Sequence, residues 1–229
     1  MSEFIKVGEK IVNKPTGLDY DLINGKVYNL KWDRYNGMSY FEEDGSLSLP
    51  AKVYTTKSDD IFIKRVNTYF QKTSKLSTGV MLSGIKGTGK TVMAKVIAKN
   101  SNLPIIVVDE DYPTGRINDF FRKFETPVTI IFDEVDTGVS GDIADKMGDI
   151  MQELGTKMQV FAITHLPQIA AKGQAHYFVY KKDTKDRTLT RIKQLEGEER
   201  VNEVARMLSG ASLTEASLAN AKDLLGIKD

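Results

Sequence analysis

Hydrophobic and polar positions change rhythm along this chain, and each rhythm predicts a different element. Lys26-Val27-Tyr28-Asn29-Leu30-Lys31-Trp32 alternates with period two, as a half-buried strand should. Asn36-Gly37 and Asp44-Gly45 supply turns. Residues 1–55 therefore read as a β-rich preface without recognisable chemistry, and Trp32 reads as packing. Asp59-Asp60 predicts the start of a helix over residues 60–72, with Ile61, Val66 and Phe70 apolar. Beyond it, short apolar runs at 79–83, 103–108, 128–132 and 159–164 read as strands. Segments 91–99, 115–124 and 142–154 read as helices, with Ile117, Phe120, Phe121 and Phe124 on one face of the second. Strand and helix alternating at short spacing predict a parallel α/β sheet covered on both faces. The tail differs. Residues 176–182 and 188–193 read as a hairpin, and helices over 198–208 and 213–225 follow. Val201, Val204, Ala205 and Leu208 form an apolar stripe on the first of these.

Composition narrows the class. Counting Gly and leaving out Tyr, apolar residues make up about 45% of the 229, a globular share that excludes wholesale disorder. No apolar run approaches the roughly 18 residues of a membrane span. The charged N-terminus, Met1-Ser2-Glu3-Phe4-Ile5-Lys6, lacks the apolar core of a signal peptide. Cysteine is absent, which removes disulfides, thiolate metal sites and Cys nucleophiles and suits a reducing cytoplasm, the expected location. Net charge is +1, so no basic footprint for nucleic acid shows overall. Lys172, Lys181, Lys182, Lys185, Arg187 and Arg191 gather near the hairpin but read as a solvated face.

The chemistry lies in the middle. Gly84-Ile85-Lys86-Gly87-Thr88-Gly89-Lys90-Thr91 matches G-x-x-x-x-G-K-[ST] in full, between a predicted strand and a predicted helix. Its glycines let backbone N–H groups curl around phosphate oxygens, and the helix adds its positive end. Lys90 is expected on the β- and γ-phosphates of ATP, and Thr91 on Mg²⁺. The apolar run 128–132 ends in Asp133-Glu134, a second expected element. Asp133 is a hard oxygen ligand for Mg²⁺, and Glu134 is placed to deprotonate the attacking water. A Glu directly after the Asp points to P-loop ATPases that carry an additional strand. Thr164-His165 ends the next strand, where a polar residue senses the γ-phosphate; His176 reads as structural.

From Phe132 to the end, the chain resembles the C-terminal segment of the DNA-repair ATPase RecN, a relative of structural-maintenance-of-chromosomes proteins. The residues that carry this are Phe132-Asp133-Glu134-Val135-Asp136-Thr137-Gly138-Val139-Ser140-Gly141, Ile163-Thr164-His165-Leu166-Pro167-Gln168-Ile169-Ala170 and His176-Tyr177-Phe178-Val179. Glu198-Glu199-Arg200, residues 205–210 and residues 218–222 continue it. The resemblance implies that residues 136–141 form a loop contacting an opposite head, that His165 is a switch histidine, and that DNA is a partner. Residues 50–136 instead resemble small AAA-type ATPases of bacteriophages, through Gly84–Lys95 and Ile131–Asp136. The long coiled coil of RecN and its Leu-Ser-Gly-Gly signature before Asp133 are missing; Leu208-Ser209-Gly210 follows Asp133, and Gly210 reads as a helix end. The chain thus reads as two halves joined at the Asp133 strand.

The expectation is a three-layer P-loop NTPase α/β sandwich: a preface over residues 1–55, then an ATPase domain over 56–229 whose halves are 56–131 and 132–229. ATP hydrolysis with Mg²⁺ is the expected function, with no membrane partner and an open oligomeric state. Two alternatives stand beside it. One is an AAA ring needing an arginine finger such as Arg116 or Arg122; the other is a nucleotide-binding scaffold without catalysis.

Overall fold

The computed structural model describes residues 4–7, 9–13, 21–44, 49, 64, 78–109, 111–122, 124, 127–139, 141–183, 188–210 and 212–227. Apart from a helical Lys64, the helix expected over 60–72 lies outside them. Among the described residues ten strands form one sheet: β1 (Phe4–Val7), β2 (Lys10–Asn13), β3 (Val27–Asp33), β4 (Met38–Asp44), β5 (Thr78–Ser83), β6 (Ile105–Val108), β7 (Thr129–Asp133), β8 (Gln159–Ile163), β9 (Ala175–Asp183) and β10 (Thr188–Leu195). Their order is β1-β2-β4-β3-β6-β7-β8-β5-β9-β10. The run from β3 to β9 is parallel, and antiparallel strands close both edges. The N-terminal strands do not form a sheet of their own. β3 pairs with β6, Val27 opposite Ile105, so the preface extends the central sheet.

Among the described residues six α-helices accompany the sheet: α1 (Lys90–Lys99), α2 (Ile117–Phe121), α3 (Asp142–Leu154), α4 (Pro167–Lys172), α5 (Gly197–Ser209) and α6 (Glu215–Leu225). Side chains of a strand alternate between faces, and the core divides accordingly. Val80, Leu82, Ile131, Phe161 and Ile163 meet Met93, Ala94, Ile97 and Ala98 of α1 on one face. Met81, Ile130, Phe132, Val160 and Ala162 meet Ile117 and Phe121 of α2, Met147 and Met151 of α3 and Ile169 of α4 on the other. Because β7 and β8 are covered on both faces, their sequences are continuous apolar runs rather than alternations. α5 and α6 build a small separate core from Val204, Ala205 and Ala221. The stripe expected on α5 is only partly right. Leu208 is exposed, while Glu203, which lies off the stripe, is buried.

The order places β8 between β5 and β7. This is the additional strand expected from the Asp133-Glu134 pair. Parallel register then brings three strand ends to one edge of the sheet. Leu82 of β5 lies opposite Ile163 of β8, and Asp133 of β7 also lies opposite Ile163. Ligands of open α/β sheets bind at such carboxyl ends.

Candidate functional site

Ser83 ends β5, and the chain turns at once into the glycine-rich loop. Gly84 adopts φ +137°, and a Cβ built there would lie 2.1 Å from the Val179 carbonyl oxygen of β9. Only glycine fits both the angle and the space. Gly87 (φ +80°) and Gly89 (φ +96°) complete the curl. Thr88 donates to the Ile85 carbonyl through both its N–H (3.2 Å) and its hydroxyl (2.8 Å). Lys90 opens α1, is 8% exposed, and points its ammonium back into the loop, at 2.9 Å from the Gly84 oxygen and 3.4 Å from the Ile85 oxygen. Ile85 and Lys86 face solvent.

Thr91 and Asp133 meet across the edge, the Thr91 hydroxyl donating to Asp133 Oδ1 at 2.9 Å. Burial pushes the Asp133 carboxyl above its ordinary range, and the Thr91 hydrogen bond and the nearby Lys95 and Lys90 pull the other way. Glu134 follows with φ +52°, the left-handed region, which costs a non-glycine residue on the order of 1 kcal/mol or more. Its N–H donates to the Ile163 oxygen (3.2 Å), and Thr137 returns to the Glu134 carbonyl (2.9 Å). Its carboxylate acts on Asp133 as a neighbouring like charge.

At the end of β8, Thr164 is buried and its hydroxyl donates to Asp136 Oδ2. The His165 N–H reaches the same oxygen at 3.3 Å, its Nδ1 lies 3.6 Å away, and its side chain is 65% exposed. Asp136 is 1% exposed, and its Oδ1 has no hydrogen-bond partner among the described residues. Asp136 is therefore turned into its own chain, and among the described residues of that loop Thr137, Gly138 and Gly141 face solvent.

Sequence reasoning missed a buried polar set behind the loop. His176 Nε2 lies 2.9 Å from Ser83 Oγ, and the Ser83 hydroxyl donates to Glu203 Oε1 (3.2 Å). Burial, with Arg200 nearby, pushes His176 down to about 4, and burial raises the Glu203 carboxyl. Arg200 holds the Ala171 and Gly173 carbonyls at the end of α4 (3.0 and 2.6 Å). Of this set only His176 read as structural; helical spacing sets Glu203 away from the stripe of Val201, Val204, Ala205 and Leu208, so no sequence signal marked it. Of the two finger candidates, Arg116 stacks over the Trp32 ring at 5.1 Å, and Arg122 is exposed at the end of α2. Lys172 pairs with Asp149 (2.7 Å) and Asp145 (3.3 Å).

Comparison with known proteins fits this geometry. The ATPase family associated with various cellular activities (AAA) matches residues 80–203, more than half of the chain. The chain belongs to the AAA family. A segment of it is RecN-like: it is 45% identical over 104 residues to the DNA repair protein RecN of Vibrio cholerae, covering 45% of this chain and 19% of that protein. With RecN of Bacillus subtilis it shares 40% over 109 residues, 48% of this chain and 19% of the relative. With RecN of Rickettsia typhi the figures are 37% over 133 residues, 55% and 24%. The matched stretch thus spans about a fifth of these relatives. AMPPCP-bound DnaA from Aquifex aeolicus is a distant structural neighbour, with a TM-score of 0.32 and 12% identity over 51% of this chain and 42% of that one. As an AAA-family domain the chain has a nucleotide-binding fold, and among the described residues no helix is long and apolar enough to cross a membrane.

Proposed function

We propose that this AAA-family domain binds ATP with Mg²⁺ at the carboxyl edge of its sheet and hydrolyses it. The observation that carries the reading is the Thr91–Asp133 contact of 2.9 Å beside a loop with Lys90 at its base. A hydroxyl and a carboxylate are the hard oxygen donors that Mg²⁺ accepts, with phosphate oxygens completing the shell. Among the described residues no cluster of three or more His, Cys, Asp or Glu stands ready to hold a metal alone, which suits an ion that arrives with its nucleotide. Thr91 and Asp133 would hold Mg²⁺, which would supply neutralisation of the phosphate charge.

The chain's own residues do the rest. Backbone N–H groups of residues 84–91 cradle the phosphates, and the Lys90 ammonium exchanges the Gly84 and Ile85 carbonyls for phosphate oxygens. Glu134 orients a water for in-line attack on the γ-phosphorus and takes its proton as the bond from phosphorus to the β–γ bridging oxygen breaks, leaving ADP and phosphate. His165, fixed at its backbone by Asp136, presents an exposed imidazole toward the γ-phosphate end. The RecN likeness supports a link to DNA repair, with DNA as a partner of the assembly this segment serves.

Nucleotide binding and turnover with variants test the reading. Lys90→Ala should lose most Mg-ATP affinity. Glu134→Gln should still bind ATP but turn over at least about 10²-fold more slowly, the low end for a general base. Unchanged affinity in the first, or parental turnover in the second, overturns the role assigned. Turnover measured with and without DNA tests the DNA link, which predicts a change in rate.

A further inference from the structure

The C-terminal hairpin touches the phosphate loop at both ends. At the entry, Ser83 is held by His176 of β9 and Glu203 of α5, and Gly84 lies directly under the Val179 carbonyl. At the exit, the Thr190 hydroxyl of β10 donates to the Thr88 carbonyl at 3.1 Å, and a Cβ on Gly89 would stand 3.4 Å from that hydroxyl. The second contact has a specific consequence. The Thr88 C=O and the Gly89 N–H belong to one planar, trans peptide unit, so they point in opposite directions. Gly87 and Gly89, both at positive φ, flank Thr88 with the freest backbone in the loop. Holding the oxygen against β10 therefore aims the Gly89 N–H away from β10, to the inside of the loop. A phosphate cradle works through N–H groups aimed before the ligand arrives.

We propose that Thr190 is a positioning residue for the nucleotide site: its hydroxyl locks the Thr88–Gly89 peptide so that the Gly89 N–H faces the phosphates. The proposal rests on the nucleotide reading above. It ties the C-terminal hairpin to the phosphate loop across 102 residues of sequence.

The test is Mg-ADP binding by calorimetry to the parent, Thr190→Val and Thr190→Ser, with urea unfolding of each. Val keeps the shape and branching of Thr but cannot donate; Ser keeps the hydroxyl. Loss of one hydrogen bond predicts about three- to tenfold weaker binding in Thr190→Val, with Thr190→Ser within about twofold of the parent and all three similarly stable. Should Thr190→Val fail to fold, Thr190→Ala against Thr190→Ser offers the same contrast. Parental affinity in Thr190→Val overturns the inference and leaves the nucleotide reading standing. Equal weakening in Val and Ser also overturns it, since shape and not the hydroxyl would then matter. A parent that binds no Mg-ADP overturns the nucleotide reading and the inference with it.

Discussion

Gly84 shows how little room a single residue has in this site. Its positive φ and the Val179 oxygen at 2.1 Å from any added Cβ act together. The neighbour is backbone in a paired strand, so it cannot swing aside. Gly84→Ala should cost at least about 2 kcal/mol through overpacking and left-handed strain, and should weaken nucleotide binding as the loop shifts. Urea unfolding and Mg-ADP calorimetry check both; a variant as stable as the parent contradicts the packing account. Gly87 differs, since nothing lies within 4 Å of a Cβ there and only its φ constrains it.

Among the elements, α6 carries the clearest local signals. Thr214 accepts from the Ser217 N–H (3.1 Å), and the Thr214 N–H donates to Ser217 Oγ (3.0 Å), a reciprocal box that satisfies donors at the helix start. Gly226 ends the helix at φ +67°, and the Ile227 N–H returns to the Lys222 carbonyl (3.0 Å). The packing behind α6 is small, Ala221 against Val204 and Ala205 of α5. Its caps therefore weigh more than they would on a helix in the main core. Thr214→Ala should destabilise by about 1 kcal/mol and Thr214→Ser by much less. Equal midpoints for Thr214→Ala and the parent in urea would show that the cap contributes nothing. α4 shows the opposite case. With six residues starting at Pro167, it is too short for a periodic pattern, and its end is held by Arg200 of α5.

At the scale of the whole molecule, burial of His176 links folding to pH. The folded protein does not protonate this ring until about pH 4, whereas the unfolded chain does so near 6.5. Between those values the unfolded state holds the extra proton, so stability is full above 6.5 and falls as pH drops toward 4. The gap corresponds to about 3 kcal/mol. Asp133 and Glu203, both raised by burial, act in the opposite sense in the carboxylate range. Comparison with His176→Gln isolates the histidine. From about pH 7 to about pH 4.5 the parent should lose roughly 2 kcal/mol more than the variant by urea unfolding. Parallel pH curves would remove His176 from the account.

Much of this protein was legible in its order of residues because the signals are local. The glycine loop needs its glycines and its Lys90-Thr91 in one unbroken stretch, and the strand ending in Asp133-Glu134 needs an apolar run with two carboxylates at its tip. Apolar runs of β7 and β8 length announced buried parallel strands, and α3 fell on its expected bounds of residues 142–154. The tertiary structure decided what depends on partners distant in sequence. That the preface joins the central sheet is set by the pairing of β3 with β6. That Asp136 faces inward is set by Thr164, 28 residues away. Glu203 is buried on α5 away from its apolar stripe, where Ser83, 120 residues earlier, offers it a buried donor. Thr190 looked like any strand threonine, and only its approach to the Thr88 carbonyl ties it to the loop. Period and motif report which face of an element is buried, but a single buried hydrogen bond leaves no period, so its partner emerges only when the chain has folded.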